Sequence, residues 1–262
     1  MTRYPLPSDT QAVLQRYPRK CQNPGLLFER YTPDLRGKEA KQQALEAICR
    51  CKPNHRALDA YRHRLRVLVE SADAITFQAK TDWRFVTGLG RNTPFEVGFT
   101  FHRLYGFPVI PGSSLKGLAR AWAHFRIKEE KPESDPEEDP LFAVVFGQAP
   151  KGDESEGGVG GAVFFEAVPL DDPALELDVM TPHFPDYYSG QRPPTDDQNP
   201  VPIPFLTVKP GVRFGFAVGW RGALHPEAHN QAVEWLKAGL KNLGAGGKTA
   251  AGYGYFEVME SQ

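Results

Sequence analysis

The chain is 262 residues long, 40% apolar and 24% charged, with a formal net charge of −1; this is enough for one large or two small domains with a real core. Near-neutrality excludes a global electrostatic pull toward nucleic acid, so any such binding needs a local basic surface, and no apolar run reaches transmembrane length. Residues 1–7 lack the apolar core of a secretion signal, and Cys21, Cys49 and Cys51 suit neither a disulfide framework nor a zinc site, which reads as a cytoplasmic protein with reduced thiols.

Glycine (25) and proline (24) are both abundant, a sign of long ordered loops and insertions. Residues 1–35 are studded with prolines and are expected to form an irregular arm. The spacing predicts a helix over 38–49, with Ala44, Leu45 and Ile48 as its apolar stripe, ended by Pro53. A second helix is expected over 55–69. Arg50, Lys52, Arg56, Arg62, Arg64 and Arg66 face one acid, Asp59, in the densest basic segment of the chain. That segment reads equally as a solvated face or as a surface for a nucleic-acid backbone.

Alternation of Ile75, Phe77 and Ala79 with polar residues predicts a strand over 74–86. Residues 97–104 are expected to be a second strand or an extended segment. A helix follows from Gly112 to Ile127, with Ser113 or Ser114 as its N-cap. The acidic stretch 129–139 reads as an exposed linker, 141–147 as a short helix or buried strand, and 152–161 as a flexible loop. Strands are expected over 162–168 and 175–180. Residues 182–204 carry seven prolines and are too long for an ordinary connection. Residues 205–208 and 212–220 read as a hairpin turned by Lys209, Pro210 and Gly211. A helix over 226–242 and a strand over 254–259 end the chain. The order is the α+β pattern βαββαβ, a ferredoxin-like (RRM-like) core with large insertions, and such sheets often present a face or loop to single-stranded RNA.

Two motifs carry chemistry. The loop Leu243–Gly254 places five glycines around Lys248. Backbone N–H groups freed of Cβ atoms, with one ammonium, form a sensible phosphate cradle. It is not a nucleotide P-loop: Asn242 stands where the first glycine belongs, and the flanks run helix–loop–strand, which sets the loop at the negative end of a helix dipole. A simple helix C-cap explains Gly244 and leaves Gly246, Gly247, Gly252 and Gly254 unexplained. The second motif, Ile110–Pro111–Gly112–Ser113–Ser114–Leu115–Lys116–Gly117, opens a helix with two hydroxyls and a lysine at its positive dipole end. An ordinary capped helix accounts for one serine but not for Lys116, which sits where acids are preferred.

The pair of motifs resembles the RAMP superfamily of CRISPR-associated proteins. The segment Phe101-His102-Arg103-Leu104-Tyr105-Gly106-Phe107-Pro108, the segment Asp178-Val179-Met180-Thr181-Pro182-His183-Phe184-Pro185-Asp186-Tyr187-Tyr188 and the run Pro202-Ile203-Pro204-Phe205-Leu206-Thr207-Val208 are similar to the sixth-subunit family of the type III-B Cmr effector complexes. The resemblance covers residues 87–262. It implies a RAMP fold over 71–262 with insertions at 128–160 and 182–204, behind an N-terminal helical extension at 1–70. It also implies a non-catalytic structural subunit of an antiviral ribonucleoprotein that caps its backbone near the 3′ end of the guide RNA. The implied partners are guide and target RNA and other Cmr subunits, with no cofactor, metal or membrane. The expected RNA-binding set is Arg91, Gly112, Ser113, Ser114, Lys116, Arg120, Gly246, Gly247, Lys248 and Thr249, gripping the sugar-phosphate backbone without regard to sequence. His183, Tyr187 and Tyr188 are expected to reach RNA or a partner subunit. The alternative is a metal-independent endoribonuclease, with His102 or His183 as its general base.

Overall fold

The computed structural model describes residues 5–17, 20–36, 38–148, 150, 157–195 and 200–259; the rest of the expected loop at 152–161 (152–156) and the tip of the 182–204 insertion (196–199) lie outside them. Helices α1 (Ser8–Arg16), α2 (Pro24–Glu29), α3 (Lys38–Arg50) and α4 (His55–Ser71) come first. The expectation of an irregular arm over 1–35 is therefore corrected. Two of its prolines sit where helices tolerate them: Pro7 is the N-cap of α1, and Pro24 occupies the first turn of α2. Asn23 Oδ1 accepts the Leu26 N–H at 3.0 Å. Six residues are too few for an autonomous helix, and α2 is held by Phe28, buried and stacked on Phe95 at 5.1 Å.

The remaining elements are β1 (Ile75–Thr81), α5 (Gly112–Glu130), α6 (Pro140–Phe146), β2 (Gly147–Gln148), β3 (Gly158–Val159), β4 (Ala162–Phe164), β5 (Val168–Pro169), β6 (Leu175–Met180), α7 (Pro185–Tyr188), β7 (Ile203–Val208), β8 (Arg213–Trp220), α8 (Pro226–Asn242) and β9 (Phe256–Val258). The main sheet runs β4-β8-β1-β9 with every neighbour antiparallel, and β5 also pairs with β8. Phe77 lies opposite Phe216 and Ala79 opposite Phe214, so the large side chains share one face, where the Phe77 and Phe216 rings stack at 5.0 Å. Helix α8 covers that face: the buried His229 ring nitrogen Nε2 lies 2.7 Å from the Val218 carbonyl, which only accepts, so Nε2 carries the proton. Gly239 lets α8 approach α5, since a Cβ there would lie 3.0 Å from Leu118 Cγ.

On the opposite face, Leu58, Tyr61 and Leu65 of α4 pack with Phe107, Val109 and Val168. Arg62 fastens α4 to the end of β5 and the chain beyond it, donating to the carbonyls of Pro169 (2.7 Å) and Asp171 (2.8 Å). A cleft of about 1100 Å³ separates α4 from the sheet. Beside the main sheet, β6 and β7 form a two-stranded ribbon packed on α3.

Two sequence expectations change here, and one alternative is decided. The segments 205–208 and 212–220 do not form a hairpin: β7 pairs with β6 and β8 with β1. Lys209–Gly211 is a corner between sheets, set by buried Thr81, whose hydroxyl donates to the Lys209 carbonyl (2.9 Å) and accepts the Val212 N–H (3.1 Å). Two strands around Pro-Gly look the same in sequence whether the chain reverses or changes sheets. The strand expected over 162–168 is interrupted, because Ala167 leaves the sheet to exchange hydrogen bonds with Ile110 (2.9 and 3.0 Å) and β5 then rejoins β8. Of the two readings of residues 97–104 the strand is excluded; Phe99 and Phe101 are buried by ring packing, and Phe101 forms an isolated bridge to Pro108.

Thr81→Val keeps the shape of the side chain but strands two main-chain partners. It is expected to lower stability by about 2–4 kcal/mol, whereas Thr76→Val on the open face of the same strand changes it by less than about 0.5 kcal/mol. Urea denaturation of both variants checks the difference.

Candidate nucleic-acid interface

The exchange between Ile110 and Ala167 aims the chain into α5. Gly112 then passes so close to the main chain at the end of β4 that a Cβ would lie 2.1 Å from the Phe164 oxygen. Neither serine caps the helix, contrary to the expectation above: Pro111 is the N-cap, with no side-chain cap hydrogen bond, and Ser113 and Ser114 stand exposed in the first turn. Their hydroxyls lie at the positive end of the helix dipole. Lys116 Nζ donates to the Phe146 carbonyl at 3.3 Å, at the negative end of α6. That contact is a structural reason for a lysine this near the start of the helix. Arg120 is turned the same way, bonded through Nη2 to both carboxylate oxygens of Glu137 and lying 5.5 Å from the Phe142 ring centre. Its charge is spent on the 3-10 turn before α6.

The glycine-rich loop is built by main-chain packing. Arg84 accepts the Gly254 N–H (2.9 Å), Val86 accepts the Gly247 N–H (2.9 Å), and Gly254 accepts the Ala245 N–H (2.7 Å). A Cβ at Gly254 would lie 1.9 Å from the Ala245 oxygen, and one at Gly246 would lie 2.1 Å from the Val86 oxygen. Both glycines also have positive φ, 77° and 81°. The glycines thus admit the chain's own backbone. Gly247 presses on Leu89, near Arg91; among the described residues the salt bridge of Arg91 is a loose one with Glu29, at 3.7 Å.

Lys248 stands apart. It is not glycine, yet its φ of 60° and ψ of 29° are left-handed, a conformation that costs a side chain roughly 1–2 kcal/mol. No carboxylate among the described residues forms a salt bridge with it, and its ammonium lies 5.6 Å from the Phe205 ring centre. Thr249 follows in a 3-10 turn, half-buried, its methyl against Gly244. Leu118 of α5 meets Gly239 of α8, one turn before the glycine-rich loop begins. Gly247, the residue before Lys248, packs on Leu89, two residues before Arg91.

Two features of this region were not legible in the sequence. Arg84 donates to Glu176 (2.6 Å) and Asp178 (3.0 Å), and Tyr253 donates to Asp178, tying the loop to β6. Burial and the Asp178 bond push the Tyr253 hydroxyl up to about 12. Trp83 is 47% exposed, with the Arg84 guanidinium 5.0 Å from its ring centre. An aromatic residue beside an arginine just past a strand was the available signal. The ribbon passes Lys248 at Phe205, opposite Asp178, and ends two residues on at Met180 and Ile203. The insertion carrying His183, Tyr187 and Tyr188 begins there; Tyr187 and Tyr188 are exposed, their rings 5.8 Å apart, and His183 is exposed.

His102 lies elsewhere, between Tyr61, Tyr105 and Phe107 at 4.7–4.9 Å. Its Nδ1 accepts the N–H groups of Leu104 and Tyr105, both at 3.3 Å, so the neutral ring carries its proton on Nε2. Burial first, then Arg64, hold its pKa below the usual value. Among the described residues no helix is long and apolar enough to cross a membrane, and no group of three or more His, Cys, Asp or Glu is placed to hold a metal ion.

An antiparallel sheet with two helices on one face and a glycine-rich loop before its last strand is the frame of a known superfamily. The RAMP superfamily profile matches residues 76–257, and the chain belongs to that superfamily. It is 32% identical over 269 residues to the CRISPR system Cmr subunit Cmr6 of Pyrococcus furiosus, covering 83% of this chain and 78% of that protein. It is 26% identical over 191 residues to the Cmr6 subunit of Saccharolobus solfataricus, covering 71% of this chain and 58% of that protein. Within the superfamily the chain is a member of the Cmr6 family. It shares its fold with a chain in the cryo-EM structure of the type III-B Cmr-beta bound to cognate target RNA: the TM-score is 0.61, at 23% identity over 84% of this chain and 71% of that one.

Gly254→Ala is expected to cost about 3 kcal/mol, combining left-handed strain with a backbone clash. Gly252→Ala, also at positive φ but with open space around it, is expected to cost about 1 kcal/mol. Denaturant titration of the pair separates packing from conformation. A depressed His102 pKa means that the unfolded chain binds the proton more readily, so stability is highest above about pH 6.5 and falls as the pH drops through that value. His102→Asn keeps an acceptor near Nδ1. Its denaturation midpoint is expected to fall less than that of the parent between about pH 7.5 and pH 5.5.

Proposed function

We propose that this chain is a non-catalytic, RNA-binding subunit of a type III-B Cmr ribonucleoprotein in antiviral defence, capping the backbone near the 3′ end of the guide RNA. Membership of the Cmr6 family and the fold shared with a chain of a target-RNA-bound Cmr complex support this reading. The observation that carries it is Lys248: a cation kept at a strained backbone position, with no salt bridge among the described residues. Strain of that kind persists where function holds it.

Lys248 and Arg91, with the exposed hydroxyls of Ser113 and Ser114, hold phosphates without reading bases. Trp83, Tyr187 and Tyr188 supply stacking faces along the strand. Lys116 and Arg120 serve the α5–α6 contact first. The core is read as ferredoxin-like, on the observed strand order β4-β8-β1-β9 with α5 and α8 on one face. Residues 1–70 are its helical extension and 71–262 the RAMP domain, working in the cytoplasm with guide RNA, target RNA and other Cmr subunits. Engagement of the His102 Nδ1 lone pair with the main chain supports a role without catalysis.

The test is RNA affinity of the reassembled complex. Lys248→Asn tolerates the left-handed backbone and removes the charge. It is expected to leave stability within about 1 kcal/mol of the parent while weakening binding about 3–10-fold at low salt. The slope of log affinity against log salt should flatten by about 0.7, the contribution of one single-strand phosphate. Unchanged affinity in both Lys248→Asn and Lys116→Ala would overturn the reading.

A further inference from the structure

We propose that Cys21 and Cys51 are an oxidisable dithiol, which closes to an intramolecular disulfide and fastens the segment before α2 to the connection between α3 and α4. The two cysteines are 30 residues apart in sequence but share one junction. Cys51 Sγ lies 3.0 Å from the Cys21 carbonyl oxygen, and the Cys21 thiol lies 3.4 Å from the Asn23 carbonyl on the same stretch of main chain. The junction is fixed on both sides. Asn54 donates its N–H to the Gln22 carbonyl (3.0 Å) and its side-chain amide to Gln22 Oε1 (2.7 Å). The Cys51 N–H is held by the carbonyls of Ala47 and Ile48 at 3.1 and 3.0 Å. Both thiols are free and neither is fully buried.

The two sulfurs differ in character. The neighbouring Cys51 thiol draws the Cys21 thiol down to about 6 while its own is pushed up, so Cys21 is the one of the pair that ionises first and attacks. Cys49 is the internal contrast: it packs on the core, and burial pushes its thiol up to about 11. With hydrogen peroxide as oxidant, the Cys21 thiolate attacks one peroxide oxygen. The O–O bond breaks and the departing hydroxide is protonated to water, leaving a sulfenic acid on Cys21. Cys51 then loses its proton and attacks the Cys21 sulfur. The S–S bond forms as the S–O bond breaks, and the oxygen leaves as water. Two thiols and one peroxide give one disulfide and two waters, with both sulfurs oxidised and the peroxide reduced.

The bond would reach beyond the junction. Asn23 donates to the Leu104 carbonyl at 3.0 Å, and Gly106 lies so close to it that a Cβ would be 1.9 Å from Asn23 Oδ1. The turn at 104–106 leads through Ile110 to the start of α5. Closing the disulfide ties this turn, through Asn23, to the end of α3.

The experiment uses the full chain. The folded protein is treated with hydrogen peroxide, remaining thiols are blocked with a maleimide, and an unreduced digest is read by mass spectrometry. The expected product is a Cys21–Cys51 peptide pair, about two mass units lighter than the reduced peptides together and separable by dithiothreitol, with Cys49 carrying maleimide. The oxidised protein is expected to melt about 5–10 °C higher than the reduced one. Cys21→Ser and Cys51→Ser should abolish that shift. If either variant fails to fold, peptide mapping of the parent chain decides alone. A cross-link through Cys49, a cross-link only between molecules or only in urea, or Cys21 advancing to a sulfinic acid while Cys51 stays free would overturn the proposal.

Discussion

The structure depends on a strip of main chain, residues 82–87, that leaves the end of β1 and bonds in succession to segments far apart in sequence. Asp82 donates to Tyr255, Arg84 accepts from Gly254, Phe85 exchanges two hydrogen bonds with Val208, Val86 accepts from Gly247, and Thr87 accepts from Thr100. Phe85 is completely buried, edge-on to Phe214 and Phe256. Buried main-chain polar groups left unpaired are costly, so this strip sets where the β6–β7 ribbon, the glycine-rich loop and the 97–101 segment must lie.

That constraint changes what the glycines mean. A loop rich in glycine invites the reading that a ligand comes close to it. Here the close approach is internal, from the carbonyls of Val86 and Ala245. What the packing leaves over is a single exception to its own rule, a lysine where the backbone favours glycine. The chemical content of the loop therefore lies in Lys248, and the glycines are the scaffold that fixes its position.

The periodic elements were legible: α3, α5 and α8 follow from apolar spacing and α4 was placed, while β1 follows from alternation but stops at Thr81, short of the expected residue 86. Pairing partners were not. Residues 205–208 and 212–220 carry sound strand signals, but Thr81, more than 120 residues earlier, decides that they part company. The short helix α2 was hidden because its stability comes from Phe28 meeting Phe95, not from local propensity. At the site, Lys248 was visible as the lone charge in a glycine run. The engagement of Lys116 and Arg120 with the α6 region was not, since Phe146 and Glu137 become neighbours only after the chain has folded.

The interruption at residues 165–167 has a consequence for the borders of the sheet. A bare outer strand offers its unpaired N–H and C=O groups to any passing chain and is a site of aggregation. On one border Ile110 occupies the groups of Ala167, and the kink between β4 and β5 breaks the run a foreign strand would need. On the other border β9 is only three residues long. Both borders of the sheet are thereby closed to an added strand.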